Sequence, residues 1–213
     1  MRLPQHIGII PDGNRRWAQG HGLKKQDGYQ HGLEPGLATF HLAQSYGIPE
    51  LTFYGFTTDN CKRPAAQRQA FAQACLEAVE LIAQESASIL VLGDSQSPCF
   101  PAELKKYTTR TDVHGGGTKV NFLINYGWQW DLAPLSGQNS NRKKIRAELR
   151  SHDISNIDLI VRWGGMRRLS GFLPVQSVYA DFYVVEDLWP NFQPQQFRDA
   201  LQWYDKQDVT LGG

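Results

Sequence analysis

The residues of this 213-residue chain best suited to chemistry fall into three groups, each behind a short apolar run. The first is "HIGIIPDGNRRWAQGHG", in which Ile7 to Ile10 lead straight to Pro11, Asp12, Gly13, Asn14, Arg15 and Arg16. The second is "TTDNCKRP", with Asp59, Asn60 and Arg63, and the third is "RWGGMRRLS", with Arg162, Arg167 and Arg168. Guanidinium forks grip phosphate oxygens bidentately, and Mg²⁺ is commonly held by one or two carboxylates together with substrate phosphates. Many arginines and one early acid therefore point to a ligand with more than one phosphate and a Mg²⁺ ion. Taken alone, Asp12 and Asn14 equally suit a helix cap with both arginines solvated, and the first group leaves both readings open.

Other phosphate chemistries lack their parts. The chain has no GxxxxGK[ST] loop, no GxGxxG fingerprint and no GxSxG elbow. Cys61, Cys75 and Cys99 are odd in number and form no CxxC pair, which argues against a disulfide framework or a zinc site. Cys61 is the one candidate nucleophile for a phosphatase, and a packed or pocket-lining thiol is its plainer reading. His6, His21, His31 and His41 are scattered without an HExxH pair, so no metal role is expected of them. Trp128, Trp130 and Trp163 line an apolar pocket or pack the core, and core packing is the reading for Trp189.

These groups need elements to hold them. Ile7–Ile10, "IPELTFYGF", "SILVLGD", "TKVNFLINYG", "IDLIVRWGG" and "ADFYVV" read as six strands, being short, apolar and bounded by breakers. Helical spacing connects them from Asn14 to about Ser45, interrupted by a glycine-rich loop, and over Ala65 to about Ser88. Residues 95–117 read as helix and loop, and Ser136 to Lys144 as the most loop-like stretch. Strands alternating with helices predict an α/β fold with a mainly parallel central sheet flanked by helices. The three groups and Asn125 then share one rim, at the carboxyl ends of the strands, where ligands bind in such sheets.

Bulk composition narrows the rest. A 41% hydrophobic chain of this length supports one domain, residues 1–213, with a substantial core. A net charge of +1 leaves no global field for nucleic acid, so any anion site is local. No run approaches a membrane span, which predicts a cytoplasmic protein with at most peripheral membrane contact.

Taken together, "HIGIIPDGNRRWA", "LTFYGFTTDNCKRP", "LINYG", "DLIVRWGGMRRLSGFL", "YADFYVVEDLWPNF" and the final glycine pair resemble the cis-prenyltransferases, the undecaprenyl diphosphate synthase family, nearly end to end. The resemblance implies a parallel α/β sheet in a homodimer, with a hydrophobic tunnel for a growing chain. It implies Mg²⁺-assisted loss of diphosphate from an allylic prenyl diphosphate and attack on the resulting cation by isopentenyl diphosphate. By position, Asp12 would hold Mg²⁺ and assist departure of the diphosphate, and Gly13, Asn14, Arg15 and Arg16 would cradle the allylic phosphates. Trp17, Lys25 and Tyr29 join the substrate-binding set. Asn60 and Arg63 match residues that align the second substrate and help move a proton. Arg162, Arg168 and Ser170 match the isopentenyl diphosphate site. Asp181 stands where the family has a glutamate completing the metal shell, and its shorter arm suggests ligation through water.

The departures gather at the second-substrate site. Tyr29 replaces a histidine, Lys25 an arginine and Cys61 an aromatic residue; Met166 replaces a glutamate and is followed by Arg167, Gly171 replaces an asparagine, and Pro174 a leucine. The segment before the final glycine pair loses its arginines. Three readings follow. The first is a Mg²⁺-dependent, short-chain prenyl diphosphate synthase using isopentenyl diphosphate. The second, resembling a lavandulyl-type branch, joins two allylic units such as dimethylallyl diphosphate head to middle. The third is a non-catalytic subunit of a prenyltransferase complex, against which retention of Asp12 counts.

Overall fold

The computed structural model describes residues 1–137 and 141–208. Its centre is a seven-stranded sheet in the order β4-β3-β5-β2-β1-β6-β7. The strands are β1 His6–Ile10, β2 Glu50–Tyr54, β3 Ala87–Leu92, β4 Thr111–Val113, β5 Thr118–Leu123, β6 Leu159–Arg162 and β7 Asp181–Val184. All pairings are parallel except β3 with β4. The helices are α1 Asn14–Gly20, α2 Leu33–Ser45, α3 Ala65–Ile82, α4 Trp128–Leu132, α5 Arg142–Glu148 and α6 Pro194–Asp205. The predicted α/β class with a mainly parallel, helix-flanked sheet is the observed one.

Both faces of the sheet are covered, which is why its inner strands read as continuous apolar runs. Ile7 and Ile9 of β1 pack into one core cluster with Phe40 of α2, Val79 and Ile82 of α3 and Leu201 of α6. Ile10 joins the second cluster on the other face, with Leu90, Leu123, Ile160 and Phe172. Gly8 interrupts this alternation for a steric reason: a Cβ there would lie 2.5 Å from Cε1 of Phe172. The β1 backbone can thus carry an aromatic ring directly against it.

Three local expectations need correction. Residues 95–117 contain β4, a strand of three residues on an antiparallel edge, too short and too exposed to show a periodic signal. Helix α3 stops at Ile82, and Ala87 and Ser88 already belong to β3. Within the stretch read as loop from Ser136 to Lys144, residues 142–144 begin α5, whose Asn141 cap accepts from the Lys143 amide. Residues 138–140 and the terminal glycine pair lie outside the described residues. No helix among those described is long and apolar enough to cross a membrane.

Candidate active site

The carboxyl ends of β1, β2 and β6 open onto a cavity of about 500 Å³. From the first group it is lined by Asp12, Gly13, Asn14, Arg15 and Arg16, with Lys25 and Tyr29 of the following loop; from the second by Asp59, Asn60 and Arg63; from the third by Arg162, Arg168 and Ser170. The parallel sheet has brought three segments up to 150 positions apart into one wall. Gln19, Tyr54, Thr57, Phe71 and Met166 also line it. Of these, Tyr54 and Thr57 sit where β2 ends and were discoverable from that position, whereas Gln19 and Phe71 face the cavity only because of how α1 and α3 pack.

Of the two acids that line the cavity, Asp12 is the more constrained. Its Oδ2 accepts from Arg162 Nη2 at 2.8 Å and its Oδ1 lies 3.4 Å from Arg16 Nη2. Neither Asp12 nor Asn14 caps α1: the N-cap is Gly13, no side chain caps the helix, and Asn14 Nδ2 instead donates to the Pro11 carbonyl. Gly13 has φ +109°, and a Cβ would press 2.8 Å from Leu188 Cδ2, so the turn after β1 requires glycine. Gly164 plays the same part on β6: with φ +88°, its missing Cβ leaves room for the Arg16 guanidinium, which donates to the Gly164 carbonyl.

Arg162 is 4% exposed and spans the two halves of the cavity. Its Nη1 donates to the Arg168 carbonyl and to Ser170 Oγ, while its buried Nε has no partner. Ser170 adopts φ +54°, a left-handed conformation costly for a side-chain-bearing residue. Tyr54 holds it there by donating its hydroxyl to the Ser170 carbonyl at 2.8 Å. On the opposite wall Arg63 donates to the Tyr29 hydroxyl at 3.0 Å, and the Tyr29 ring stacks on Phe71 with centroids 4.4 Å apart. Asn60 spends its Oδ1 on the Thr57 amide, shaping the turn that presents Arg63.

Beneath this polar chamber lies an apolar one of about 90 Å³. Leu33, Leu37, Ala74, Ala78, Leu81 and Ile82 of α2 and α3 line it, with Phe53 of β2, Phe122 of β5, Ile124 just past β5, and Trp189. Pro11, Asn14, Tyr29, Gly55 and Phe71 line both chambers, which therefore adjoin.

Several expected residues lie elsewhere. Trp17 does not line either chamber; its ring lies against His21 and His31, and its indole donates to Asn191. Asp181 opens β7, opposite Leu159 rather than Arg162, so it sits at the strand end away from Asp12. Burial raises its carboxyl above the ordinary value and its charged neighbours are Arg2 and Asp158. Within one chain Asp181 is therefore not brought to Asp12. Arg167 pairs with Glu186 on the exposed surface, and Asn125 is buried, bound to Asp94 and Cys61. Cys61 is no activated nucleophile, since burial and the neighbouring Cys99 push its thiol up to about 12. Trp163 is buried in the core, whereas Trp189, expected only to pack, also lines the apolar chamber.

No group of three or more His, Cys, Asp or Glu among the described residues is arranged to hold a metal ion. The cavity offers Asp12 with guanidiniums around it, a donor set that suits Mg²⁺ when a diphosphate supplies the remaining oxygens.

Residues 10–212 match the prenyltransferase family profile described as undecaprenyl diphosphate synthase. The chain is 31% identical over 231 residues to the ditrans,polycis-undecaprenyl-diphosphate synthase ((2E,6E)-farnesyl-diphosphate specific) of Haemophilus ducreyi, covering 99% of this chain and 95% of that protein. The enzyme of the same name from Pectobacterium atrosepticum is 30% identical, with 99% and 90% covered. Among solved structures, lavandulyl diphosphate synthase from Lavandula x intermedia in complex with dimethylallyl diphosphate superposes with a TM-score of 0.85 at 21% identity, covering 99% of both chains. That likeness establishes the shared fold.

Proposed function

The chain belongs to the undecaprenyl diphosphate synthase family of prenyltransferases, and from that premise we propose that it is a Mg²⁺-dependent synthase that couples a short allylic diphosphate to isopentenyl diphosphate and releases a short prenyl diphosphate. One observation carries this reading: a basic chamber of about 500 Å³ adjoins an apolar one of about 90 Å³, with five residues lining both. That layout suits a molecule with a diphosphate head and a hydrocarbon tail. A cavity of about 150 Å³ holds one benzene, so the apolar chamber is sized for roughly one five-carbon tail.

In this reading Arg15, Arg16 and Lys25 bind the allylic diphosphate, and the tail passes between Tyr29 and Gly55 into the apolar chamber. Arg162, Arg168 and Ser170 hold the second diphosphate, and Arg63, oriented by Tyr29, fixes the second substrate against the first. Mg²⁺ held by Asp12 would supply charge neutralisation to the departing diphosphate. The apolar walls exclude water from the allylic cation, which otherwise hydrolyses. A homodimer, a single domain and a cytoplasmic location belong to the same reading.

Head-to-middle joining of two dimethylallyl units is the second reading. It is favoured by Met166, which places a thioether rather than a carboxylate on the second-substrate wall. Purified protein with Mg²⁺ and dimethylallyl diphosphate, with and without isopentenyl diphosphate, separates the readings by mass spectrometry of the dephosphorylated products. Linear alcohols formed only with isopentenyl diphosphate support chain elongation. A branched ten-carbon alcohol from dimethylallyl diphosphate alone supports head-to-middle joining, and no product from any allylic donor would make the chain a non-catalytic subunit.

A further inference from the structure

Six basic side chains face the polar cavity against only two carboxylates, Asp12 and Asp59. Of these acids, Asp59 is already paired with Lys62 at 2.8 Å. Asp12 is paired twice, with Arg162 at 2.8 Å and with Arg16 at 3.4 Å. The Arg162 partner is 5% exposed at its side chain, so that contact is little screened by solvent, whereas the Arg16 side chain is 43% exposed and its contact is weaker. A divalent cation approaching the cavity without a diphosphate meets a positive field and a carboxylate whose oxygens are both engaged. Arg162 in turn carries a buried Nε with no acceptor, an unspent donor in the wall where a diphosphate would lie.

We propose that Arg162 is an internal counter-ion that keeps Asp12 closed to free metal, so that a divalent cation enters this site only together with a diphosphate. This rests on the assignment of Asp12 as the metal ligand. A diphosphate brings several negative charges, offsets most of the cavity's positive excess, and gives Arg162 an alternative partner through Nη2 and Nε. Asp12 is then free to ligate. The metal supplies no bond to Arg162; the exchange is one of ion-pair partners, and charge balances because each guanidinium leaving the carboxylate meets a phosphate oxygen.

The test uses Mn²⁺ as the probe and water-proton relaxation enhancement as the readout, which rises only when the ion tumbles with the protein. Wild type, Arg162→Gln, Arg16→Gln and Asp12→Asn are titrated with Mn²⁺ alone and with Mn²⁺ plus inorganic pyrophosphate. Expected is weak enhancement of wild type by Mn²⁺ alone, and a tightening on the order of tenfold or more when pyrophosphate is present. Arg162→Gln should bind Mn²⁺ alone on the order of tenfold more tightly than wild type, and Arg16→Gln, at an exposed position where folding is not at risk, about twofold more tightly. Equal wild-type affinity with and without pyrophosphate, or no gain in either arginine variant, overturns the proposal. Asp12→Asn separates this from the underlying assignment: if it still binds Mn²⁺ with pyrophosphate as wild type does, Asp12 is not the metal ligand at all.

Discussion

At the scale of single residues, Asp12 and Tyr54 do different work. Asp12 is a partly exposed carboxylate at the end of β1, and its removal leaves the core intact. Asp12→Ala should lower turnover by about 10²-fold or more, the usual loss when stabilisation of developing charge is removed, and should lower the melting temperature of a still folded protein, because the buried Arg162 guanidinium loses its counter-ion. Steady-state rates and a circular-dichroism melt on the same preparation check both halves. Tyr54 acts at one remove, by donating to the carbonyl of a serine held at φ +54°. Tyr54→Phe keeps the ring and its packing on Phe172 but frees that carbonyl. We expect KM for the second diphosphate to rise about three- to tenfold with kcat within twofold, since a single neutral hydrogen bond contributes about 0.5–1.5 kcal/mol. A fall in kcat at unchanged KM would place Tyr54 in the chemistry itself.

At the scale of elements, β1 sets both the stability and the acid response of the sheet. Gly8 of β1 lies under Phe172, so Gly8→Ala overpacks that contact at a cost of about 1–3 kcal/mol, measurable as a lowered midpoint in urea with an unchanged slope. His6, at the other end of β1, is fully buried with its Nε2 at 2.7 Å from Thr52 Oγ1 and its Nδ1 at 3.1 Å from Ser155 Oγ. Burial holds it below its ordinary value of 6.5, against the opposing pull of Glu50 and Asp158. The unfolded chain therefore takes up this proton first, and stability present at neutral pH is lost as pH falls below about 6.5. Glu50 adds a second limb. Its burial disfavours the charge, yet His6 and the donors Ser155 and Asn121 outweigh that and hold it below 4.5, so its contribution is lost only in stronger acid. Melting temperature against pH should fall in two stages, and His6→Gln should flatten the first while lowering stability at pH 8.

At the scale of the whole molecule, the nearly neutral chain concentrates its cations in one cavity and sets an apolar chamber behind it. Under the proposed function, the size of that chamber, bounded by α2, α3 and the sheet, sets how much hydrocarbon is stored before the product leaves. Leu81 is a half-buried wall residue of α3 that lines this chamber alone. Leu81→Ala should shift the product distribution toward longer chains by at least one five-carbon unit, read by mass spectrometry after dephosphorylation. An unchanged product pattern in a folded variant would show that Leu81 does not bound the chain.

The sequence by itself determined the α/β class, the strands that carry the site and the three groups at their carboxyl ends. Each of these is a local property: apolar runs of strand length, breakers behind them, and charged residues at fixed offsets from both. Proximity between segments is not local. That Asp12 and Arg162 share an ion pair, that Tyr54 steadies Ser170, and that Phe71 of α3 stacks on Tyr29 depend on sheet order and helix packing, which no spacing records. The same cause sends Asp181 and Trp17 away from the cavity: their neighbours in sequence suggested the site, but Asp181 begins its strand instead of ending it, and Trp17 lies on a side of α1 that packs against His21, His31 and Asn191. Residue type and order specified which groups are suited to the proposed chemistry; only the tertiary structure decided which of them face one another, because a parallel sheet joins distant segments through strand order while each segment keeps its own local pattern.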